Sequence, residues 1–327
     1  METHRKHVQR GTLPAILLII LFLFVALFTI HTLLVRAPEV PDDTDASVDL
    51  PADSQTSAQE SEEPLDVRKQ YFYTLLLAGR DNGNGGTDTI ILAAFDGSGK
   101  RCTCISIPRD TRVEINGKSH KINAAYNIGG MPQLAESVSD LLGIPVDFTV
   151  LVDLQGFAAL VNAIDGVDFN VPIDMDYDDP YQDLSIHFSK GMQHLNGEDA
   201  LKVVRFRHNN DGTGYGSEDI GRMATQQAFL KAVAKKMLRP ENLGKVGEYA
   251  NIFQHYVDTN LKASDIAWFG EQAIAMGLDN IHFSTIPSEW ISPYMYLFPE
   301  ETLTLVNESL NPYESDRDIE DLHIPQP

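Results

Sequence analysis

Apolar positions are distributed along this chain in three regimes. From Leu13 to Leu34 they run almost unbroken, close to the about 20 residues that a helix needs to cross a bilayer. Over 37–67 they thin out among Asp, Glu, Pro, Ser and Thr, with no Lys or Arg. From Tyr71 onward, short apolar runs alternate with helical periodicity. The runs Tyr71–Leu77 and Thr89–Phe95 are continuously apolar, as strands covered on both faces are. A third run, Cys102–Ile107, follows the turn sequence Asp96-Gly97-Ser98-Gly99, which predicts a hairpin. A helix is predicted over 132–142, with Pro132 early and Gly143 closing it. Asp147–Val152 reads as a strand, Leu154–Ile164 as an amphipathic helix stopped near Gly166, and Val167–Val171 as another strand. Asp174–Asp183 reads as an acidic loop. Beyond it helical patterns dominate, over 196–204, 217–237, 241–256 and 264–276, and Ser217, Glu218 and Asp219 suit the positive end of the second. A late strand over 280–286 and a helix within 299–311 complete the series. Strands alternating with helices predict an α/β fold, a mixed central sheet with helices on both faces.

Arg5, Lys6 and Arg10 precede the long apolar run, and Val35-Arg36-Ala37-Pro38 after it is a poor cleavage site. The positive-inside rule then keeps 1–12 in the cytoplasm, makes 13–35 one transmembrane helix, and exports the rest, anchored to the cell membrane. The acidic stretch 36–68 cannot bury enough apolar surface to offset its ordering entropy, so it reads as a disordered linker. The formal net charge is −22, so the chain has no general attraction for polyanions, and a local cation cluster points to one specific anionic ligand. DNA binding is disfavoured further because the short cytoplasmic segment carries no helix-turn-helix. From about Lys69 the chain reads as one large domain.

The cation cluster lies in Val203-Val204-Arg205-Phe206-Arg207-His208 and Gly221-Arg222, followed by Gln226 and Gln227. Guanidinium groups are planar, permanently charged forks that grip phosphate oxygens bidentately. Taken singly, these arginines read better as solvated charges paired with Glu198, Asp199 and Glu218; their company with Arg109, Asp81 and Asp88 turns the reading to phosphate. Alternation puts Arg205 and Arg207 on one side with Phe206 on the other, while Arg222 and Gln226 share a helix face. Arg109 ends the third strand, with Asp110 beside it to orient its guanidinium, and Lys121 is a further cation. Asp81 and Asp88 bracket a Gly-rich loop at one end of adjacent strands, an arrangement suited to Mg²⁺ on phosphate oxygens. Cys102 and Cys104, two apart in a strand, are separated by about 6.6 Å, at the outer limit for a disulfide. They read as small buried hydrophobes.

In combination the stretches Leu75–Thr89, Ser106–Arg112, Lys121–Gly130, Gly191–Arg207 and Asp219–Phe229, with Ile286-Pro287-Ser288-Glu289, resemble the LytR-CpsA-Psr family of Gram-positive bacteria. The resemblance covers about Tyr71–Pro312, and places an extracellular domain at 69–312 with a C-terminal tail at 313–327. It implies a three-layer α/β/α sandwich with a deep apolar pocket for a polyprenyl tail. It also implies a phosphotransferase that moves an anionic glycopolymer, teichoic acid or capsule-like, from a polyprenyl-pyrophosphate donor to a peptidoglycan acceptor in cell wall biogenesis. By motif match Asp81 and Asp88 resemble Mg²⁺ carboxylates, and Arg109, Arg205, Arg207 and Arg222 a pyrophosphate clamp. Lys121 and Gln226 are supporting contacts. Where family members often carry Arg, this chain has Gly86, and Arg80 is the candidate to replace that charge.

Two rivals stand beside transfer. Hydrolysis of the same lipid diphosphate would use the same clamp with water as acceptor, and a wall-binding or regulatory protein would need no chemistry. For transfer, a muramyl-sugar hydroxyl is the expected nucleophile and Asp88 the first candidate for its base. Phe229 and Leu160 are candidate walls of the lipid pocket, with ordinary core packing the stronger reading for both.

Overall fold

A computed structural model describes residues 35–40, 67–80, 87–180, 184–215, 218–237, 239–243 and 245–327. Residues 13–34 of the expected membrane span, most of the acidic linker, and Asp81 and Gly86 lie outside these. Among the described residues no helix is long and apolar enough to cross a membrane. Of the described residues, 40, those within 67–261 and 272–327 belong to one compact unit, and 35–39 with 262–271 to another.

In chain order the strands are β1 (Phe72–Arg80), β2 (Thr87–Asp96), β3 (Arg101–Ser106), β4 (Arg112–Ile115), β5 (Lys118–Lys121), β6 (Phe148–Asp153) and β7 (Val167–Val171). They continue with β8 (Met175–Asp179), β9 (Leu184–Phe188), β10 (Gly191–Leu195), β11 (Val257–Thr259), β12 (Ile281–Thr285), β13 (Ser288–Ile291) and β14 (Tyr294–Leu297). The helices are α1 (Asn123–Leu142), α2 (Leu154–Ala163), α3 (Gly197–Arg205), α4 (Glu218–Met237), α5 (Pro240–Leu243), α6 (Val246–Tyr256), α7 (Ala263–Met276) and α8 (Pro299–Leu305).

The central sheet has the order β11-β6-β1-β2-β3-β12. It is mixed: β1, β2 and β3 run antiparallel as a meander, while β6 is parallel to β1 and β12 parallel to β3. The apolar runs β1 and β2 occupy its centre, where both faces are covered. On one face Leu76, Leu92 and Ile105 pack with Leu134 and Val138 of α1 and with Val306 and Leu310. On the other, Ile91, Ala93 and Cys104 meet Leu230 of α4. A second apolar core lies among α2, α3, α4 and the strands β7 to β10, centred on Phe206 and Phe229. The predicted turn after β2 forms, with the Asp96 carboxylate accepting from the Gly99 amide at 2.7 Å. Cys102 and Cys104 are free thiols with Sγ atoms 3.8 Å apart.

Several expectations are corrected. The helix expected over 132–142 begins at Asn123, and Gly129 and Gly130 break it, Gly130 with φ of 70°. Its second part therefore restarts around Pro132, and Gly143 ends it in the left-handed region (φ 63°) as expected. The pattern over 241–256 is two helices, α5 and α6. The acidic loop 174–183 contains β8, which pairs antiparallel with β9. Met175 and Ile186 are its buried positions, and Asp176 and Asp178 take the solvent side of the alternation.

The C-terminal tail is packed: Leu322 is buried, and the His323 amide donates to the Asp140 carbonyl at 2.9 Å. At the other end of the domain, Arg68 grips buried Asp147 through both guanidinium nitrogens, at 2.9 and 2.7 Å. Asp147 also accepts from the Thr74 amide at 2.8 Å, which ties the end of the linker to the start of β1.

Candidate functional site: an arginine cleft beside an apolar groove

Asn196 caps α3 by accepting from the Asp199 amide at 3.0 Å. The helix ends at Arg205, because Phe206 leaves the helical region with ψ of 136°. Phe206 is 1% exposed, and its ring meets Tyr215 edge-on with centroids 5.7 Å apart. That anchor fixes the chain between Arg205 and Arg207. Tyr215 in turn bonds Thr225 of α4 at 2.8 Å; burial pushes the pKa of its phenol up, and the Thr225 contact opposes that in part.

Arg205, Arg207 and His208 line a cleft of about 270 Å³ together with Arg109, Arg222 and Gln226. Arg109 arrives from the loop after β3, Arg222 from the second turn of α4, and Thr89 from β2. Tyr177 and Leu184, on β8 and β9, close the outer side. The Tyr177 and His208 rings stand edge-on at 5.5 Å. Arg222 is 3% exposed, so a permanent charge is held deep in the wall. Gln226 donates its side-chain amide to the Val204 carbonyl at 3.0 Å, satisfying one of the carbonyls that a helix end leaves open. Gln227 ties α4 to the ends of β3 and β12, donating to Ser106 and to the Ser284 carbonyl, each at 2.9 Å.

An apolar groove of about 140 Å³ adjoins the cleft. Leu77, Ile91, Phe157 and Leu230 line it, and it shares Thr89, Leu154, Val204 and Gln226 with the cleft. Gly79 also lines it, and a Cβ there would come within 3.3 Å of the Thr89 side chain.

The expected arginines Arg109, Arg205, Arg207 and Arg222 are thus brought together, with Gln226. Arg80, expected to replace the missing charge, does not line this cleft. It donates to the Tyr126 hydroxyl at 3.0 Å, and lines a different, polar depression with Asp153 and Asp258. Lys121 is also outside the cleft wall. Its ammonium pairs with Asp110 at 2.8 Å, and Asp110 lies 3.7 Å from Arg109 Nε, so Lys121 acts on the cleft through that carboxylate. Phe229 follows the core-packing reading and is not a groove wall. It is fully buried in the second core against Phe157 and Phe169, at 5.7 and 4.9 Å. Leu160 packs there as well.

Asp81 lies outside the described residues, and of Asp88 the backbone alone is described. The β1–β2 ladder pairs Gly79 with Thr89 and then Arg80 with Thr87, so Asp88 is the extra residue of a bulge, a device that re-aims side chains beside functional sites. Its neighbour Thr89 lines the cleft. Carboxylates such as that of Asp88, by the chemistry of their oxygens, suit a hard divalent cation. Sequence reasoning missed His208, Tyr177, Thr89 and the groove lining of Phe157 and Leu230. His208 is adjacent to the arginine motif, but Tyr177 reaches the cleft through a hairpin that the sequence hides in an acidic run.

The sequence model of the LytR_cpsA_psr family matches residues 44–311. The chain is 35% identical over 212 residues to the polyisoprenyl-teichoic acid–peptidoglycan teichoic acid transferase TagV of Bacillus subtilis (strain 168), covering 62% of this chain and 53% of that one. It is 30% identical over 227 residues to the regulatory protein MsrR of Staphylococcus aureus (strain COL), covering 68% and 66% respectively. The chain therefore spans only part of each relative. The crystal structure of B. subtilis TagV shares the fold with a TM-score of 0.59 and 29% identity, over 72% of this chain and 94% of that chain.

Proposed function

Since the chain belongs to the LytR-CpsA-Psr family, we propose that it transfers a phosphate-linked glycopolymer from a polyprenyl-diphosphate carrier to peptidoglycan. The observation that carries this reading is the contiguity of the arginine cleft with the apolar groove. A lipid diphosphate has that same division, two charged phosphates joined to a hydrocarbon chain. The names of relatives such as TagV support the same substrates.

A sugar hydroxyl of the acceptor attacks the glycan-side phosphorus and passes its proton to Asp88. The bond from that phosphorus to the bridging oxygen breaks, and the lipid leaves as its monophosphate. Arg109, Arg205, Arg207 and Arg222 neutralise the diphosphate and stabilise the charge that grows on the leaving phosphate, the main demand of phosphoryl transfer. Asp81 and Asp88 would hold Mg²⁺, whose chemistry there is to draw charge from the phosphate oxygens. Gln226 fixes the segment carrying Arg205 and Arg207 against α4. The groove residues Leu77, Phe157 and Leu230 hold the hydrocarbon and keep water from the lipid side. The span at 13–35 would keep the domain on the outer surface of the membrane, where carrier and acceptor meet.

The experiment is incubation of the full chain with a lipid-diphosphate glycan and peptidoglycan fragments. Lipid monophosphate and a covalent glycan-phosphate-peptidoglycan product should form together. Lipid phosphate released without that product would instead make the protein a hydrolase, and no release would overturn the reading.

A further inference from the structure

We infer that the exposed indole of Trp290 is a stacking platform for an amino-sugar ring of the peptidoglycan acceptor, with Lys121 beside it to meet an acceptor carboxylate. The inference rests on the transferase reading, and gives it an acceptor subsite. Trp290 sits on β13 and is 53% exposed, more than Tyr71 or Tyr256, although an indole left in water forgoes a large apolar contact. The neighbouring Ile291 is exposed as well.

The hairpin is fixed to the cleft. Trp290 pairs across it with Met295, whose amide donates to the Asp110 carbonyl at 2.9 Å. Side chains repeat the link: Arg109 is 3.7 Å from Asp110, Asp110 is 2.8 Å from Lys121, and the Lys121 ammonium stands 5.7 Å from the Trp290 ring centre. Trp290 is therefore separated from a cleft arginine by two side chains. That spacing suits a nucleophile carried on a glycan strand, one sugar entering the cleft while a neighbouring ring rests outside it.

The chemistry matches an acceptor. A pyranose presents a face of C–H groups that covers an aromatic ring, and aromatic anchors of this kind dominate many binding surfaces. Peptidoglycan sugars bear peptide stems with carboxylates. The Lys121 ammonium has three donors, so the one given to Asp110 leaves others for such a group, and the side chain is 38% exposed.

Calorimetry of the full chain with a soluble disaccharide-peptide fragment of peptidoglycan tests this. Trp290→Ala should weaken binding about tenfold, as loss of an aromatic anchor does, while Trp290→Phe should stay within about threefold because a ring remains. Wild-type tryptophan emission should shift on adding fragment, and the Trp290→Phe protein, left with Trp268 alone, should show no shift. Fragment binding by Trp290→Ala equal to wild type would overturn the platform, as would a wild type that binds polyprenyl diphosphate but no fragment. Trp290-dependent binding of the free glycopolymer in place of the fragment would also overturn it. Binding of polyprenyl diphosphate is measured in parallel, and its absence would sink the transferase reading by itself.

Discussion

The Gln226 side-chain amide lies 3.0 Å from the carbonyl oxygen of Val204, so one hydrogen bond joins the long helix α4 to the last turn of α3. The two arginines of that turn and its exit, Arg205 and Arg207, line the cleft together with Arg222 of the same long helix. The spacing of these arginines thus depends on where α4 lies against α3. Gln227, anchored to Ser106 and Ser284, fixes the same helix to the sheet.

Replacing Gln226 by Leu keeps its volume and removes the donor, leaving the Val204 carbonyl without this partner. Stability should fall by about 1–2 kcal/mol, measured by urea unfolding. Release of lipid phosphate should fall more steeply than that loss alone explains, because the arginine spacing relaxes. Wild-type turnover in the Leu variant would show that the contact is a structural tie with no bearing on the cleft.

Arg207→Lys keeps the charge and loses the two-pronged grip on phosphate. Turnover of a lipid-diphosphate glycan should drop at least about tenfold if a charge-assisted bidentate contact is lost. Asp88→Asn should abolish Mg²⁺-dependent turnover while lipid binding in the groove persists. Near-normal, Mg²⁺-dependent turnover in both variants, with thermal unfolding matched to wild type, would remove these residues from the site.

Much of this arrangement is legible in the sequence, and for identifiable reasons. Strands β1 and β2 read as continuous apolar runs because the centre of the sheet is covered twice, and Gly143 marks a helix end because its φ is positive. The arginines point to one ligand because they depart from an acidic background. The rest depends on contacts that no local pattern encodes. Arg80 is turned to Tyr126 at a strand end where the register shifts, and a bulge is invisible in composition. Phe157 and Phe229 touch each other, yet one lines the groove and the other is core. Helical spacing places both on apolar faces without saying which face is left open. Hairpins β8–β9 and β13–β14 carry Asp, Ser and Glu at their exposed positions, which reads as loop.

Gly221 is occupied ground. A Cβ there would fall 2.4 Å from both Cβ and Cγ of Tyr215, whose ring braces Phe206. Gly221→Ala must push Tyr215 off, and the brace between Arg205 and Arg207 moves with it. Overpacking of this kind costs about 1–3 kcal/mol. Unfolding should shift accordingly and the affinity for polyprenyl diphosphate should fall; unchanged affinity would uncouple Tyr215 from the clamp.

The outer wall of the cleft should weaken in acid. Asp178 on β8 accepts from the Ser185 hydroxyl of β9 at 2.6 Å, and that bond, opposed slightly by desolvation and aided by His187, holds its pKa below the usual carboxylate range. A depressed carboxylate stabilises the fold above its unfolded pKa, and the contribution is lost as pH falls through the lower, folded value. Hydrogen exchange in β8 and β9, corrected for the intrinsic pH dependence of exchange, should therefore lose protection as pH drops below the ordinary Asp range. Asp178→Asn should flatten that dependence. A pH profile identical in wild type and variant would assign the acid sensitivity elsewhere.

The groove can be tested at a residue that faces it without dismantling the core. Phe229 is unsuitable, because it is fully buried between Phe157 and Phe169 and a charge there would unfold the second core. Leu230, the next residue, is partly buried and lines the groove with Ile91 and Phe157. A carboxylate at partly buried Leu230 can keep part of its hydration when the groove is empty, and must lose it when a hydrocarbon chain enters. Leu230→Asp should therefore unfold close to wild type yet retain little polyprenyl lipid on purification, read by mass spectrometry of the extract. Its affinity for a short-chain diphosphate, which the arginines hold without the groove, should change far less than its affinity for the full-length lipid. Equal loss for short and long chains would place the lipid elsewhere, and full retention would mean that the groove is not its path.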